Sequence, residues 1–551
     1  MWSLVPGVWD IGAVDADLLL VNGHFYDDGR WLPGVDSIAI RDGRIHAMGS
    51  GLTSSGRVVD LDGAWVLPGF HDAHVHPVQA GLEMNACDLS SGDSVDDYVG
   101  TIREHAATHP QAPWILGGGW SMHAFPGGVP DAAPLDEIVP DRPVFLPNRD
   151  HHSAWVNTTA LRLAGIDAST PDPADGRIER DAHGAPTGAL HEGAMELVRA
   201  LIPPATTTEQ RDALLTAQAH LHSLGVVGWQ DALVGDGLGM ADSLDTYLDA
   251  VRDGSLTAKV VGALWWDRAR GEEQIDELVA RRTRAAEAGF DAGSVKIMQD
   301  GVCETFTAAV IAPYLDAHGH ETSNRGLSFI EAADLARYVQ QLDALDFQVH
   351  VHALGDQAVR DSLDAIQHAR TLNGARGNRH HLAHVQIVDP ADVPRFADLD
   401  VTANVQALWA CLDEQMVELT LPFLSTGARA QQYVFRSLDE AGADLVCGSD
   451  WPVSSADPLE AIHVAVNRTA PGSTLGPLLG DEGIAIATAI DAYTRGSARI
   501  NRLGASSGRI APGMAADLAV LDRDLLTLPA GEIASTRVVA TFVDGERVFS
   551  V

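Results

Sequence analysis

From about residue 208 to residue 450 the sequence repeats one unit, an amphipathic helical stretch followed by a short apolar run. The helical stretches include "TEQRDALLTAQAHLHSLG" and "EQIDELVARRTRAAEAG". The apolar runs are "VVGWQDA", "SVKIMQDG", "FQVHVHALGD", "HHLAHVQIV", "VTANVQALW" and "DLVCGSDWP". A helix between every two strands makes the strands run parallel, and a parallel sheet is covered on both faces, which is why its strands read as apolar runs. At this length, closing eight such strands into a barrel is favoured over an open sheet, so an α/β fold of (β/α)8 TIM-barrel type is expected.

The two ends read differently. "ADLLLVNGHFYDDG", "DSIAIRDGRIHAMG" and "RVVDLDGAWVLPGF" are β-rich runs broken by Asn-Gly and Asp-Gly pairs, which signal hairpins. "GRIAPGMAADLAVLDRDLLTL" and "VVATFVDGERVFSV" repeat the pattern at the C-terminus. Residues 1–67 and 503–551 are therefore expected to pair into one small β domain, with the barrel over 68–502. Residues from about 85 to 205 are rich in Gly, Pro and Asp and break the rhythm, as an inserted subdomain would.

Charge narrows the partners. With 76 Asp and Glu against 37 Lys and Arg, the formal net charge is −39. Such a surface repels phosphate backbones and anionic lipid, so neither nucleic acid nor a membrane is an expected partner. Cys87, Cys303, Cys411 and Cys447 are too scattered for a disulfide framework or a zinc ribbon, which fits a reducing cytoplasm. The N-terminus lacks a basic region followed by an apolar one, and no window reaches the ~18 apolar residues of a membrane span.

The chemistry sits on the strand ends. Residues two apart on a strand share a face, so in "PGFHDAHVHP" His74 and His76 point one way with Asp72, and His71 points the other. Two imidazoles side by side can chelate one divalent ion. Lys296 lies inside the apolar "SVKIMQDG", where an unpaired ammonium is costly; it either pairs with a barrel carboxylate or is held among metal ions. In "FQVHVHALGD", His352 is nearer than His350 to the C-terminal strand end where barrel sites assemble, leaving His350 to line the pocket or to satisfy a core hydrogen bond. The same reasoning selects His384 in "RHHLAHVQ" and leaves His380 and His381 as a solvated strand entry. Asp450 ends the apolar run of "LVCGSDWPV", and Cys447 reads as packing. Singly each of these has a structural explanation. Together, five strand ends bring N and O ligands to one mouth, as a mono- or binuclear zinc site requires.

With these residues in place the chain resembles the amidohydrolase superfamily, in its YtcJ-like branch, which includes N-substituted formamide deformylases. "LPGFHDAHVHP", "GGGW", "HHSAWVNTTAL", "PTGALHE", "VKIMQDG", "HVHALGDQAV", "HHLAHVQ", "GSDWPV" and "GRIAPGMAADLAVLD" carry the resemblance over nearly the whole chain. It implies a distorted (β/α)8 barrel with a β-sandwich built from both termini. It implies His74 and His76 as ligands of one zinc, His352 and His384 as ligands of a second, Lys296 as a carboxylated bridge, and Asp450 as ligand and general base. Many relatives have an acidic residue where this chain has Ala383. Trp120, His152, Glu192 and Trp409 fall in matching segments and are candidates for a substrate pocket, and Trp451 follows the catalytic Asp.

The expected activity is hydrolysis of a C–N bond in a small amide by metal-activated water. The alternatives are a cyclic imide, carbamate or ester on the same site, a free nucleobase, or a scaffold that has lost its chemistry. A homodimer is expected by analogy alone.

Overall fold

The computed structural model describes residues 14–551. The reading of the extreme N-terminus as lacking a secretion signal rests largely on residues 1–13, which lie outside the described residues. Eight parallel strands form the central sheet in chain order: β1 (Phe70–Val75), β2 (Val226–Val234), β3 (Lys259–Trp265), β4 (Asp291–Met298), β5 (Gln348–Ala353), β6 (His381–His384), β7 (Thr402–Val405) and β8 (Leu445–Cys447). β2 and β5 are buried along their whole length, because one face fills the barrel and the other meets a helix. The helix Thr207–Ser223 starts at a capping box, in which Thr206 and Glu209 each satisfy the other's backbone N–H. The helix Asp356–Asn373 turns Ala358, Val359, Leu363 and Ile366 toward the strands.

The seam between β8 and β1 closes the barrel at its C-terminal end. The Asp450 N–H donates to the His74 carbonyl at 2.8 Å, and the His76 N–H donates to the Trp451 carbonyl at 2.9 Å. Gly448 makes that approach feasible, since a Cβ there would lie 2.6 Å from the His74 Cβ and 2.7 Å from its backbone nitrogen.

Both chain ends meet in one six-stranded sheet. Leu518–Leu521 runs antiparallel to Trp65–Pro68, with Ala519 opposite Leu67. A four-stranded sheet of Leu18–Val21, Ser37–Arg41, Arg44–Gly49 and Arg57–Asp60 packs over it. Leu20, Phe25, Ile38, Ile40, Leu518 and Phe542 belong to the apolar cluster that joins the two sheets into a sandwich. His71 bonds to this domain, its Nε2 lying 2.7 Å from Ser507 Oγ, which in turn donates to Asp517 Oδ2.

The connection from β1 to β2 carries a further six-stranded mixed sheet, running from Cys87–Asp88 to Pro186–Glu192. Trp120 is buried in the core of this region, its Nε1–H donating to the Leu146 carbonyl at 2.7 Å and its ring packed on Phe125 and Trp155. All four cysteines are buried and free. Among the described residues, no helix is long and apolar enough to cross a membrane.

Replacing Gly448 with Ala should therefore strain the seam, at a cost of about 1–3 kcal/mol. The expected result is a lower unfolding midpoint at fixed scan rate together with reduced metal retention.

Candidate active site

The C-terminal strand ends bring four of the other five expected ligand side chains around His74. Its Nε2 lies 3.2 Å from Asp450 Oδ1 and 3.3 Å from Lys296 Nζ. His76, one residue past β1, places its own Nε2 3.1 Å from the same Asp450 oxygen. The His384 ring is centred 4.9 Å from that of His74, and its Nδ1 is 3.8 Å from Asp450 Oδ2. His352, the sixth residue, adjoins through His384, with ring centroids 4.4 Å apart. Lys296 and His352 keep the strand register, facing His350 and Met298 respectively across the β4–β5 pairing.

The electrostatics suit a cation. Burial lowers His74 to about 3 and pulls His384 well below the usual imidazole range, so both rings are neutral at pH 7, each keeping one nitrogen lone pair. Burial also brings Lys296 down to about 7, which leaves a substantial fraction of its amine unprotonated. Burial opposes the charge on Asp450, but His74 and His76 against its oxygens outweigh this and hold the carboxyl well below its usual value. Both ring nitrogens of His384, Nδ1 of His76 and Oδ1 of Asp450 are buried without a properly directed hydrogen bond. Unsatisfied buried acceptors are expensive, and a shared divalent ion is what such N and O donors accommodate. His74, His76 and Asp450 in particular can offer ligand atoms that all lie within 4.8 Å of one another.

Outer groups hold these side chains in place. His350 Nε2 is 2.9 Å from His74 Nδ1, and its own Nδ1 is 2.7 Å from Gln230 Oε1. Gln230 in turn donates to Gln348, which anchors on the carbonyls of Arg379 and Ile500. His350 therefore orients a candidate ligand from beneath, and it does not line the cavity. Asp300, fully buried, faces His352 Nδ1 at 3.2 Å and accepts the backbone N–H groups of Ala309, Leu354 and Gly355. Such partners set the tautomer and orientation of a ligating imidazole. Asp72 accepts the N–H groups of His74 and Ser449, stitching β1 to the loop after β8.

The expectation of a solvated strand entry at His380 and His381 is corrected, because both are buried. His380 bridges the Val349 N–H and Asp343, and His381 lies against His350 with ring centroids 4.0 Å apart. Beyond them His384 and Val385 take left-handed backbone, φ 78° and 47°, where β6 leaves the sheet. Asp300 and Gln230 were passed over. Asp300 could have been found, since it ends the same "VKIMQD" run as Lys296, but Gln230 had no sequence signal.

A cavity of about 600 Å³ opens beside the cluster. Trp409, stacked parallel on His384 at 5.4 Å, and Trp451, next to Asp450, belong to its wall. Trp120 does not line it. His152 and Glu192, from the inserted region, do not line it either; they pair beside His352, with Nδ1 and Oε1 2.9 Å apart and the His152 ring 6.1 Å from that of His352. Burial pulls His152 down, yet the Glu192 carboxylate lifts it to about 9, so it carries a proton at neutral pH. Thr307 Oγ1 also donates to Glu192 at 2.8 Å. Glu192 sits at φ 50° and ψ −129°, a backbone conformation strained for any residue but glycine and maintained here by its surroundings.

The family described as the amidohydrolase family matches residues 57–549. Protein LONG AFTER FAR-RED 3 of Arabidopsis thaliana is 32% identical over 100% of this chain and 94% of its own length. The N-substituted formamide deformylase of Arthrobacter pascens is 27% identical, covering 96% of this chain and 97% of its own. Among solved structures, an uncharacterized metal-dependent hydrolase from Pyrococcus horikoshii OT3 superposes with a TM-score of 0.70 at 26% identity, covering 93% of this chain and 99% of that one. With the barrel, its imidazole-lined mouth and this match over most of its length, the chain belongs to the amidohydrolase family.

Proposed function

We propose that the protein is a metal-dependent hydrolase that cleaves the C–N bond of a small amide, an N-substituted formamide being the first substrate type to test. The observation that carries this reading is Asp450, whose Oδ1 lies within 3.2 Å of both His74 and His76, beside a cavity large enough for a small molecule whose wall includes the neighbouring Trp451. The likeness to a formamide deformylase supports the choice of substrate.

His74, His76, Lys296, His352, His384 and Asp450 would hold one or two zinc ions. Carbon dioxide adding to the neutral amine of Lys296 would release a proton and turn the side chain into an anionic oxygen ligand. A bound divalent ion would polarise the amide carbonyl and lower the pKa of water toward neutrality. Asp450 accepts the proton of the attacking water and delivers it to the leaving nitrogen, so that a C–O bond forms, the C–N bond breaks, and a carboxylic acid and an amine depart. His152, protonated and fixed by Glu192 through Nδ1, keeps Nε2 as a donor toward charge developing on the substrate oxygen. Trp409 walls the apolar side. Esters, carbamates and cyclic imides could use the same groups, and a substrate panel separates them.

Elemental analysis should find one or two zinc equivalents in the wild type and fewer in His74→Ala. A metal-free wild type after reconstitution would refute the reading. Asp450→Asn should retain much of the metal while kcat falls about 10²- to 10⁴-fold; near-normal turnover would remove Asp450 from proton transfer. If the His152 proton is required, kcat/KM should decline above about pH 9. Glu192→Gln removes the charge that raises the imidazole, so that limb should move to lower pH, and an unmoved limb would assign it to another group.

A further inference from the structure

The cavity beside Asp450 has an unusual charge. Among the described residues, seven carboxyl groups line it, of which burial pushes Glu83 up to about 8, against one guanidinium, that of Arg149, which donates to the Ser90 carbonyl at 3.1 Å. Three of the acids come from separate parts of the chain: Asp150 from the inserted region, Glu304 from the loop after β4, and Asp413 from the segment after β7. Each has a local hydrogen bond, from the His152 N–H at 3.0 Å, Thr420 Oγ1 at 2.6 Å and the Met416 N–H at 2.7 Å respectively. None of the three forms an ion pair among the described residues. Burial pushes the Glu304 carboxyl up, and the charges of Asp150 and Asp413 add to the shift, so the three groups feel one another.

Two further side chains point independently to a ligand. Tyr433 lines the cavity at 2% exposure, and its hydroxyl makes no hydrogen bond among the described residues. Gln386, at 1% exposure, donates its amide nitrogen to Gln432 at 3.1 Å and leaves its Oε1 without a partner. Both residues are buried, and their unpartnered oxygens open onto the cavity, where a ligand can donate to them. Trp409 and Trp451 add indole faces, which attract cations. A ligand with N–H donors and positive charge satisfies all of these groups together, whereas an alkyl or anionic group satisfies none of the acids.

We propose that this cavity selects amides whose amine portion ends in a second, positively charged nitrogen, held among Asp150, Glu304 and Asp413 while the scissile bond lies at Asp450. The inference rests on the hydrolase reading above. The acyl carbon of a formamide bears only hydrogen, so the amine portion is what fills the space. Water and the formamide yield formate and a diamine.

The test uses the zinc-loaded full chain and three formamides of similar length: N-(5-aminopentyl)formamide, N-hexylformamide and 6-formamidohexanoate. The ammonium substrate should exceed the neutral one about tenfold or more in kcat/KM, chiefly through KM, with the carboxylate last. Glu304→Gln should reduce the ammonium-to-neutral ratio at unchanged zinc content, and 0.5 M salt should reduce the ratio in the wild type. A ratio at or below one, or a preference for the carboxylate through Arg149, would overturn the proposal. Calorimetry with pentane-1,5-diamine and pentylamine separates the two readings without turnover. Tighter binding of the diamine, lost in Glu304→Gln, with no formamide cleaved, would uphold the cationic pocket and sink the formamide reading. Equal binding of the two amines would sink the cationic pocket whatever the turnover.

Discussion

The structure depends on a carboxylate, Asp450, buried beside His74 and His384, whose rings burial keeps neutral. In an apolar protein interior this arrangement would be costly, because the lone pairs of His384, His76 and Asp450 converge with few hydrogen atoms between them. A divalent cation reverses the balance, since the same lone pairs then become ligands. Much else in the barrel serves this cluster. The seam bonds between Asp450 and His74, the bare backbone of Gly448, and the carboxylate of Asp72 across β1 and the loop after β8 all hold the first and last strand ends at one distance.

Around that centre the labour is divided. The barrel supplies the candidate ligands and, beneath them, the chain from His350 through Gln230 to Gln348 that fixes the His74 ring. The inserted region brings His152, Glu192 and Asp150 over the mouth, where Thr307 from the loop after β4 secures Glu192. Strain follows the same division. Asp450 after β8, His384 at the end of β6 and Glu192 in the inserted region all take positive φ. Backbone of this kind persists only where the surrounding contacts over-determine it.

Much of the candidate site was legible in the sequence because ligand residues must stand at strand ends, and strands announce themselves as apolar runs. His74, His76, Lys296, His352, His384 and Asp450 could each be placed at such an end, and the structure gathers all six. Period-two reasoning held for His350 and His352 because β5 is regular to its end. His381 escaped notice because a histidine at the start of a strand carries no local sign that it will pack against His350 inside the barrel. Trp120 shows the other limit. Its segment matched the family, but an indole makes as good a core residue as a pocket wall, and here it packs against Phe125 and Trp155.

By itself, then, the sequence determined the alternation of helix and parallel strand, the pairing of the two β-rich ends and the identity of the candidate metal ligands. These depend on local periodicity and on residue chemistry. Only the tertiary structure decided which buried groups orient those ligands, which aromatic residues reach the cavity, and that Asp150, Glu304 and Asp413 share one wall. Several of those relations join residues more than a hundred positions apart, as Gln230 and His350 are, and chain closure over such distances leaves no periodic trace in the sequence.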